Sequence, residues 1–264
     1  IIKMNSLSNF VNYIKLKGQS NPEIGIIFGS GLSSLSENID TTKVIKYNDI
    51  PKFPLPKVEG HRGEFVFGKI NNKNILISNG RFHYYEGWNK VQIESIVKIF
   101  YKLGIKKIII TNCSGSIFKL NKPSTILNII GYVDFTFMKD KNPSIKYLKK
   151  SRSFKLSNAL KKAFQNKKIP YNEGVYGWTL GPSYETPSEI NYLKKMGVHA
   201  VGMSTVPEIN IATSLKMEIA VISCLTNYAA GIDSKIISHN DVIASANKIR
   251  LNLSKLIIET IKIL

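Results

Sequence analysis

Short apolar runs that end abruptly in polar loops are the feature of this sequence that most constrains its fold. Five such runs, rich in Ile and Val, each lead into a loop of glycine and small polar residues. Runs of this kind are typical of strands buried on both faces of a sheet. Because ligands of open α/β sheets bind outside the carboxyl ends of the strands, these loops predict one shared site for a small, polar, anionic ligand. The five runs with their loops span 24–31, 75–83, 108–115, 199–205 and 220–227.

Segments with a helical spacing of apolar residues lie between and around these runs. One helix start is marked by Thr186 as a candidate N-cap followed by Pro187 in the first turn. A proline-rich stretch at 51–56 predicts a loop within the otherwise β-like segment 43–70. Strands that alternate with helices predict an α/β domain with a largely parallel or mixed sheet. The predicted helices span 5–17, 32 onward, 91–103, 151–166, 187–196, 206–212 and 242–264.

The size and composition of the chain are those of a globular protein. With 264 residues, of which 43% are hydrophobic, it fits one large domain or two small ones. No apolar run approaches the roughly 20 residues of a membrane span, and the first residues lack the pattern of a signal peptide. Cys113 and Cys224 are too few for a disulfide scaffold and have no triad-like surroundings, so we expect two reduced thiols in a cytoplasmic protein.

A formal net charge of +19 is the strongest argument for a nucleic-acid partner. Only four of the 37 basic residues are arginines, however, and base-edge and bidentate phosphate recognition favour arginine. The lysines are scattered, apart from the segment 139–168. We attribute the charge to a bias towards Lys, Ile and Asn, and expect neither a nucleic-acid nor a membrane partner. A basic surface would still concentrate anionic substrates.

Two of the loops carry groups that bind anions. In Gly29-Ser30-Gly31, backbone N–H groups and the Ser30 hydroxyl can bind an anion, although many such turns contain these residues for steric reasons alone. The loop lacks the Gly-Lys-Ser/Thr of a P-loop and the spacing of a dinucleotide fingerprint. Arg81 and His83 face the same side of an extended segment. Their guanidinium and imidazole groups would together hold a phosphate dianion, whereas each alone is more often structural.

The histidines are few and unevenly placed. Three of the four, His61, His83 and His239, lie beside glycine or serine loops. They lack metal-ligand spacing, and neither an HExxH nor a CxxC pattern is present. We therefore expect no structural or catalytic metal.

A turn before the predicted helix at 187 combines an aromatic ring with a carboxylate. Glu185 can accept hydrogen bonds from ring N–H groups of a heterocycle, and Tyr184 can pack on its face. The alternative is that Glu185 only complements the dipole of the following helix. Asn227 closes the last strand, and its amide both donates and accepts, which suits a purine edge.

Seven motifs follow one another in a fixed order within the stretch from about Gly25 to Val242. They are Gly29-Ser30-Gly31-Leu32, Gly80-Arg81-Phe82-His83-Tyr84-Tyr85-Glu86-Gly87, Thr111-Asn112, Gly181-Pro182-Ser183-Tyr184-Glu185-Thr186, Gly202-Met203-Ser204-Thr205-Val206-Pro207-Glu208, Thr226-Asn227 and Ser238-His239. In this combination the chain resembles the trimeric class of purine nucleoside phosphorylases. The resemblance implies a single nucleoside phosphorylase-like domain over residues 1–264. It also implies a three-layer α/β/α sandwich with a twisted, mostly parallel or mixed central sheet.

The resemblance further implies reversible phosphorolysis, in which a purine nucleoside and inorganic phosphate give the free base and ribose 1-phosphate without another cofactor. The residues implied as catalytic are Asn227, Glu185 and His83. Those implied for phosphate are Ser30, His61, Arg81, His83, the backbone at Cys113, and Ser204. The base would be bound by Tyr184, Glu185 and Asn227, and the ribose by Tyr85, Tyr176, Met203 and His239.

Substrate choice and assembly are also implied by the resemblance. Asn227, with His239 near the 5′-hydroxyl, favours 6-oxopurine nucleosides. Related methylthioadenosine phosphorylases carry an acidic residue at the position of Asn227, which suits a 6-amino purine instead. A xanthosine- or methylthioadenosine-type phosphorylase is the alternative. The chain departs from the family pattern at 130–135 and has a shorter segment at 142–155. In the family the second segment delivers an aromatic ring to a neighbour's ribose within a homotrimer, a role open here to Tyr147 or Phe154.

Three functions of other kinds remain as alternatives. A nucleoside hydrolase would turn over without phosphate, and the anion-binding residues argue against it. A basic nucleic-acid-binding protein would interleave aromatic side chains with lysines on one surface and show steep salt dependence. A degenerate paralogue would bind nucleosides without turnover, which the two departures from the family pattern would explain.

Overall fold

The computed structural model describes residues 4–18, 21–32, 35, 39–148, 155–233 and 239–264, apart from the side chains of 4–6 and 239–243. Its helices are α1 Met4–Gly18, α2 Lys90–Ile93, α3 Ser95–Lys102, α4 Lys155–Asn166, α5 Pro187–Lys195, α6 Val206–Ser214 and α7 His239–Ile263. Its strands are β1 Ile24–Ile27, β2 Asp40–Lys46, β3 Glu64–Ile70, β4 Lys73–Asn79, β5 Lys107–Ser116, β6 Thr125–Asp134, β7 Lys146–Tyr147, β8 Tyr171–Trp178, β9 Ala200–Gly202 and β10 Glu218–Tyr228. Among the helices that the structure describes, none combines the length and apolar character required to cross a membrane.

The ten strands form one mixed sheet in the order β10-β6-β8-β9-β5-β1-β4-β3-β2, with β7 paired to β6. β1 lies parallel between β4 and β5, and β5 is also parallel to β10. β2, β3 and β4 form an antiparallel meander at the other end. Because β10 pairs with both β5 and β6, the strands β5, β9, β8, β6 and β10 close into a circuit.

Alternate residues of the central strands enter two separate cores, as the two-residue period of a strand requires. Ile108 and Ile110 of β5 pack with side chains of α1, α3 and α6 on one face of the sheet. Ile109 between them packs with side chains of α4 and α7 on the opposite face. Helices therefore cover both faces, and the predicted three-layer α/β/α architecture with a mixed sheet is confirmed.

The start of α5 agrees with the sequence pattern, whereas α7 begins at His239 instead of 242 and the helix predicted at 91–103 is divided into α2 and α3. α5 begins with a capping box: Thr186 Oγ1 accepts a hydrogen bond from Glu189 N (3.3 Å), and Glu189 Oε2 accepts one from Thr186 N (2.7 Å). The helix predicted from Leu32 falls mostly on 33–34 and 36–38, which lie outside the described residues. The first residues of the predicted helix at 151 lie outside them as well, and α4 is described from Lys155.

Two of the five predicted loops are strand instead. The sequence predicts loops at 111–115 and 224–227, but β5 and β10 remain paired in parallel from Lys107 and Glu218 to Ser116 and Tyr228. The polar side chains of these segments are hydrogen-bonded, and all but that of Asn227 are buried, so their polarity does not end the strands. A single β-bulge places one extra residue, Thr226, in β10. A bulge of this kind re-aims the next side chain.

Close packing of β1 on α3 gives a test of this fold. A Cβ at Gly25 would lie 2.4 Å from Phe100 Cδ2. We expect Gly25→Ala to lower the free energy of unfolding by about 1–3 kcal/mol, because the methyl group overpacks a filled core. Urea unfolding measures the loss. In a Phe100→Leu background, where the ring is absent, the same substitution should cost less. An equal loss in both backgrounds would contradict the contact.

Candidate active site

An open cleft of about 770 Å³ collects residues from all five predicted strand–loop junctions. The structure thus brings together side chains that are far apart in the sequence. One residue from each junction is Ser30 after β1, His83 after β4, Cys113 in β5, Ser204 after β9 and Asn227 in β10.

β9 reaches this cleft from the opposite direction to β5, although it is parallel to its other neighbour, β8. It pairs antiparallel with the last part of β5, with Val201 opposite Gly115. Its carboxyl end therefore runs back towards Cys113, whose carbonyl oxygen would lie 3.3 Å from a Cβ at Gly202. The loops meet because of this reversal as well as because of parallel pairing.

A glycine brings the loop after β1 onto β5. A Cβ at Gly29 would lie 2.8 Å from the Cα of Asn112, so the close approach requires glycine. The Thr111 hydroxyl accepts a hydrogen bond from Gly29 N (3.2 Å) and donates one to a carbonyl of β1 (3.2 Å). Ser30 is thereby fixed beside Cys113, whose thiol donates to the Ser30 carbonyl (3.2 Å). Burial raises the pKa of the Cys113 thiol to about 12.

Arg81 is almost completely buried, with 1% of its surface exposed. Nη1 donates to Ser204 Oγ (2.9 Å) and Thr205 Oγ1 (2.8 Å), and Nη2 donates to the carbonyl of Thr111. Nε lies 3.5 Å from Glu208 Oε1. The three hydrogen bonds use three of the five N–H groups of the guanidinium and leave the Nε–H, which lies beside Glu208, and one N–H on Nη2. Arg81 therefore supplies positive charge and holds its neighbours in place. It offers fewer direct hydrogen bonds to an anion than the sequence predicts.

Glu208, in the first turn of α6, balances this buried charge. Its side chain is 2% exposed, and burial raises its pKa while the Arg81 charge opposes the shift. Within the described part of the chain, neither Glu208 Oε2 nor Arg81 Nε has a hydrogen-bond partner. Removing one member of such a pair would leave an uncompensated buried charge.

Arg81 and His83 both line the cleft, while Phe82 between them is buried in the core, as the spacing predicts. The Nδ1 of His83 lies 2.7 Å from Glu86 Oε1, and the His83 ring stacks on Tyr85 with centroids 4.8 Å apart. Burial lowers the pKa of His83, although Glu86 opposes the shift. A neutral ring that donates Nδ1–H to Glu86 presents Nε2 to the cleft as an acceptor.

His61 is a second neutral imidazole in the same corner. Its Nε2 lies 3.1 Å from Ser30 Oγ, and its ring centroid lies 5.4 Å from that of His83. Burial is the main cause that lowers the pKa of His61 well below its usual value, with further lowering by His83 and Arg81. We name this region the anion corner, which comprises Ser30, His61, Arg81, His83 and Ser204.

Glu185 and Tyr184 lie on another wall of the cleft. Glu185 is 9% exposed, and its Oε1 accepts a hydrogen bond from Thr179 Oγ1 (2.5 Å). Burial raises the pKa of Glu185, and the Thr179 hydrogen bond opposes the shift. Tyr184 keeps 42% of its surface exposed at the mouth of the cleft, where its ring remains available for a ligand.

Neighbouring groups fix the amide orientation of Asn227. Nδ2 donates to the Tyr228 carbonyl (2.8 Å), and Oδ1 accepts from Thr226 Oγ1 (2.9 Å). One N–H of the amide remains for a ligand. We name Tyr184, Glu185 and Asn227 the base corner.

The residues predicted for ribose are only partly gathered at the cleft. Tyr85 and Met203 line it. Tyr176, in contrast, is fully buried behind the wall, and its hydroxyl accepts a weak hydrogen bond from Ser204 N (3.4 Å). The prediction of direct ribose contact is corrected for this residue: Tyr176 supports the loop that carries Ser204. The backbone of His239 begins α7, but its side chain lies outside the described residues.

The two candidates for an inter-subunit aromatic can be placed only in part. Tyr147 lies in the short strand β7 with 64% of its surface exposed. Phe154 lies outside the described residues. For metals, the described ranges contain no group of three His, Cys, Asp or Glu side chains that could hold an ion.

Several polar residues of the site carry no role in the sequence interpretation. They are Asn112, Ser114, Thr179, Thr205, Glu208, Ser223 and Thr226, all of them buried. Their signal in the sequence is polarity inside segments otherwise typical of buried strand or helix. Thr205 also adopts φ +76°, a region that β-branched residues rarely occupy.

Comparisons with known proteins show which family this chain is similar to. Residues 23–262 match the family model of the phosphorylase superfamily. Purine nucleoside phosphorylase 1 of Bacillus subtilis (strain 168) is 35% identical over 256 residues, which cover 93% of this chain and 93% of that protein. Crystal structures of Schistosoma mansoni purine nucleoside phosphorylase in complex with inosine and with adenosine are also similar. Their TM-scores are 0.87 and 0.86, at 26% and 25% identity, covering 99% and 98% of this chain and 97% of each neighbour.

The family model spans most of the chain, and the bacterial relative aligns with nearly its whole length. The resemblance based on the seven motifs is thereby confirmed. This chain belongs to the purine nucleoside phosphorylases of the phosphorylase superfamily.

Proposed function

We propose that this protein catalyses the reversible phosphorolysis of 6-oxopurine nucleosides, such as inosine, guanosine and their deoxy forms. The products would be the free purine and (deoxy)ribose 1-phosphate. The observation that carries the proposal is that the anion corner and the base corner line one cleft. A site that holds phosphate and nucleoside together converts their encounter into a reaction between positioned groups.

The anion corner suits hydrogen phosphate as the attacking group. The hydroxyls of Ser30 and Ser204 line the cleft, and the backbone at Cys113 lies beside them. Neutral His83 would accept the one remaining O–H of hydrogen phosphate at Nε2. Arg81 would supply the nearby positive charge. A hydrolase that activates water has no need of this combination.

The base corner favours a purine with a hydrogen on N1. A 6-oxopurine carries N1–H, which would donate a hydrogen bond to ionised Glu185. In adenine, N1 has a lone pair instead, which the carboxylate would repel. The Thr179 hydrogen bond stabilises the ionised form of Glu185 and leaves Oε2 for the base. The remaining N–H of Asn227 would donate to N7. The schistosome relative is seen with both inosine and adenosine, so it does not decide between these substrates. The proposed preference for 6-oxopurines therefore rests on Glu185.

Catalysis would then follow from positioning and electrostatics. As the glycosidic bond breaks, positive charge develops on the sugar and negative charge on the purine. The phosphate dianion would stabilise the positive charge on the sugar and attack C1′. The Asn227 amide would stabilise the negative charge on the purine through a hydrogen bond to N7. Tyr85 and Met203 would pack against the ribose, with His239 at its 5′-hydroxyl. No covalent intermediate with the enzyme is required.

The proposal includes a homotrimer. Phe135 contacts Phe137 and Tyr192, with ring centroids 4.7 and 5.6 Å away. Phe137 and Tyr192 are 52% and 53% exposed, and Met138 is 46% exposed. A cluster of exposed apolar side chains of this kind marks an interaction surface. We name Phe135, Phe137, Met138 and Tyr192 the aromatic patch and assign it to the subunit contact.

We further propose that inorganic phosphate is a co-substrate, that the enzyme uses no cofactor, and that it acts in the cytoplasm. The phosphate-binding groups of the anion corner and the free cysteines Cys113 and Cys224 support this view.

The central prediction concerns phosphate. We expect protein freed of phosphate to release hypoxanthine from inosine only after phosphate is added, because phosphate is the attacking group. Ribose 1-phosphate should form in equal amount. Base release at the same rate without phosphate would identify a nucleoside hydrolase. Absence of release from every purine nucleoside would identify a degenerate paralogue.

The base corner gives a second prediction. Glu185→Ala and Asn227→Ala should each lower kcat/KM for inosine by about 10²–10³-fold, the usual effect of losing one group that stabilises developing charge. Wild-type protein should prefer inosine to adenosine. Glu189→Ala is the matched control, since that carboxylate caps α5 outside the cleft and its loss should affect stability alone. Near-normal rates in both test variants, or equal use of inosine and adenosine, would refute the assignment.

Light scattering with size-exclusion chromatography tests the assembly. We expect wild-type protein to elute at three times the mass of one chain. Tyr192→Asp should shift it towards the monomer, because a charge is buried in the apolar contact. Leu16→Asp, at an exposed position of α1 (73% exposed), should leave the mass unchanged. An active wild-type monomer, or an unaltered Tyr192→Asp trimer, would refute this use of the aromatic patch.

A further inference from the structure

A row of buried polar side chains leads from the β5–β10 pair to the anion corner. Its members are Ser114, Ser223, Asn112 and Thr205, each at most 4% exposed, and it ends at Ser204. We name these five residues the polar chain. Each is within hydrogen-bond distance of the next, so the available hydrogens and lone pairs determine which group donates at every step.

The direction of the first steps follows from Asn112. Its amide oxygen can only accept, so the Ser223 hydroxyl, 2.6 Å away, donates to it. Ser223 has a single hydroxyl hydrogen, which this bond uses. The contact of 2.6 Å between Ser114 Oγ and Ser223 Oγ therefore has Ser114 as its donor.

The direction continues through Thr205. Its Oγ1 accepts hydrogen bonds from Arg81 Nη1 (2.8 Å) and Asn112 Nδ2 (3.1 Å), two groups that can only donate. Both lone pairs of Oγ1 are thereby occupied. The Thr205 hydrogen is left to donate to Ser204 Oγ, which lies 3.1 Å away.

The same count applies to Ser204. Its Oγ accepts from Arg81 Nη1 (2.9 Å) and from Thr205, which fills both lone pairs. Its own hydrogen is then left to point into the cleft, which Ser204 lines, with the Tyr176 hydroxyl near the same side chain as the competing acceptor. We propose that Thr205, Asn112 and Ser223 are positioning residues that fix the Ser204 hydroxyl as a hydrogen-bond donor to the anion in the cleft.

This assignment explains why the polar chain is buried and one-directional. An isolated serine hydroxyl rotates and can either donate or accept. Here every member donates to the next, so the bonds polarise one another in a low-dielectric interior. Thr205 holds a left-handed backbone conformation (φ +76°) that a threonine adopts only where its surroundings enforce it. The identity of the anion as phosphate rests on the proposed function.

Thr205→Val tests the proposal, because valine keeps the branched shape and removes the hydroxyl. Without that hydroxyl, Ser204 is no longer held as a donor. We expect KM for phosphate, and its Kd by titration calorimetry, to rise roughly tenfold, as for the loss of a hydrogen bond to a charged group. KM for inosine should stay within about twofold. Thr205→Ser, which keeps the hydroxyl, should restore wild-type values.

Two further variants control for structural damage. Thr260→Val removes another buried threonine hydroxyl, which donates to the Leu256 carbonyl (2.7 Å) in α7, and should leave phosphate binding unchanged. Ser223→Ala breaks the polar chain three hydrogen bonds before Ser204. It should raise the phosphate Kd by a smaller factor than Thr205→Val does. If Thr205→Val does not fold, Ser223→Ala alone tests the role of the polar chain.

The outcomes separate this proposal from the proposed function. An unchanged phosphate Kd in Thr205→Val and Ser223→Ala, or a Thr205→Ser variant as impaired as Thr205→Val, would overturn the role of the polar chain while phosphorolysis stands. Equal rises of KM for inosine and phosphate would indicate a merely structural role and overturn it too. Base release without phosphate would overturn phosphorolysis alone, since the calorimetric Kd still reports on Ser204. Wild-type protein that binds no phosphate would overturn both.

Discussion

Burial of the Arg81 guanidinium is the interaction on which the rest of the site depends. A charge removed from water needs polar or oppositely charged partners close to it. Arg81 finds them on three different elements: the Thr111 carbonyl in β5, the Ser204 and Thr205 hydroxyls before α6, and Glu208 within α6. One charge thereby holds three elements in a single arrangement. The anion corner is built before any ligand arrives, which is how electrostatic catalysis avoids reorganisation.

The charge balance of the anion corner differs from what its composition indicates. Burial keeps His61 and His83 neutral, and Glu208 offsets Arg81. The corner thus has little net charge, although the chain as a whole carries +19. Recognition of phosphate would therefore depend on the direction of hydrogen bonds more than on an excess of positive charge. The scattered lysines act elsewhere, at most by raising the local concentration of anions.

The sequence predicts the strands, most helices and the convergence of their ends, because buried strands and helix caps have local patterns. It also places Arg81 and His83 on one side of their segment. It does not predict that β5 and β10 continue through their polar segments, since this depends on pairing between residues about 110 positions apart. Tyr176 and Glu208 escape prediction for the same reason: burial and partner choice follow from tertiary contacts. The polar residues that predict loops in the sequence are instead hydrogen-bonded to one another between β5 and β10.

Closure of β5, β9, β8, β6 and β10 into a circuit has a consequence for association between chains. A strand inside the circuit has neighbours on both sides, so it offers little free backbone to another molecule. Within the described residues, β2 at the far end of the sheet is paired on one side only, and almost all its side chains are exposed. That edge carries Asp40, Lys43 and Lys46, and charges on an edge strand oppose pairing with a second sheet. A chain with many isoleucine-rich strands is in this way protected against edge-to-edge aggregation.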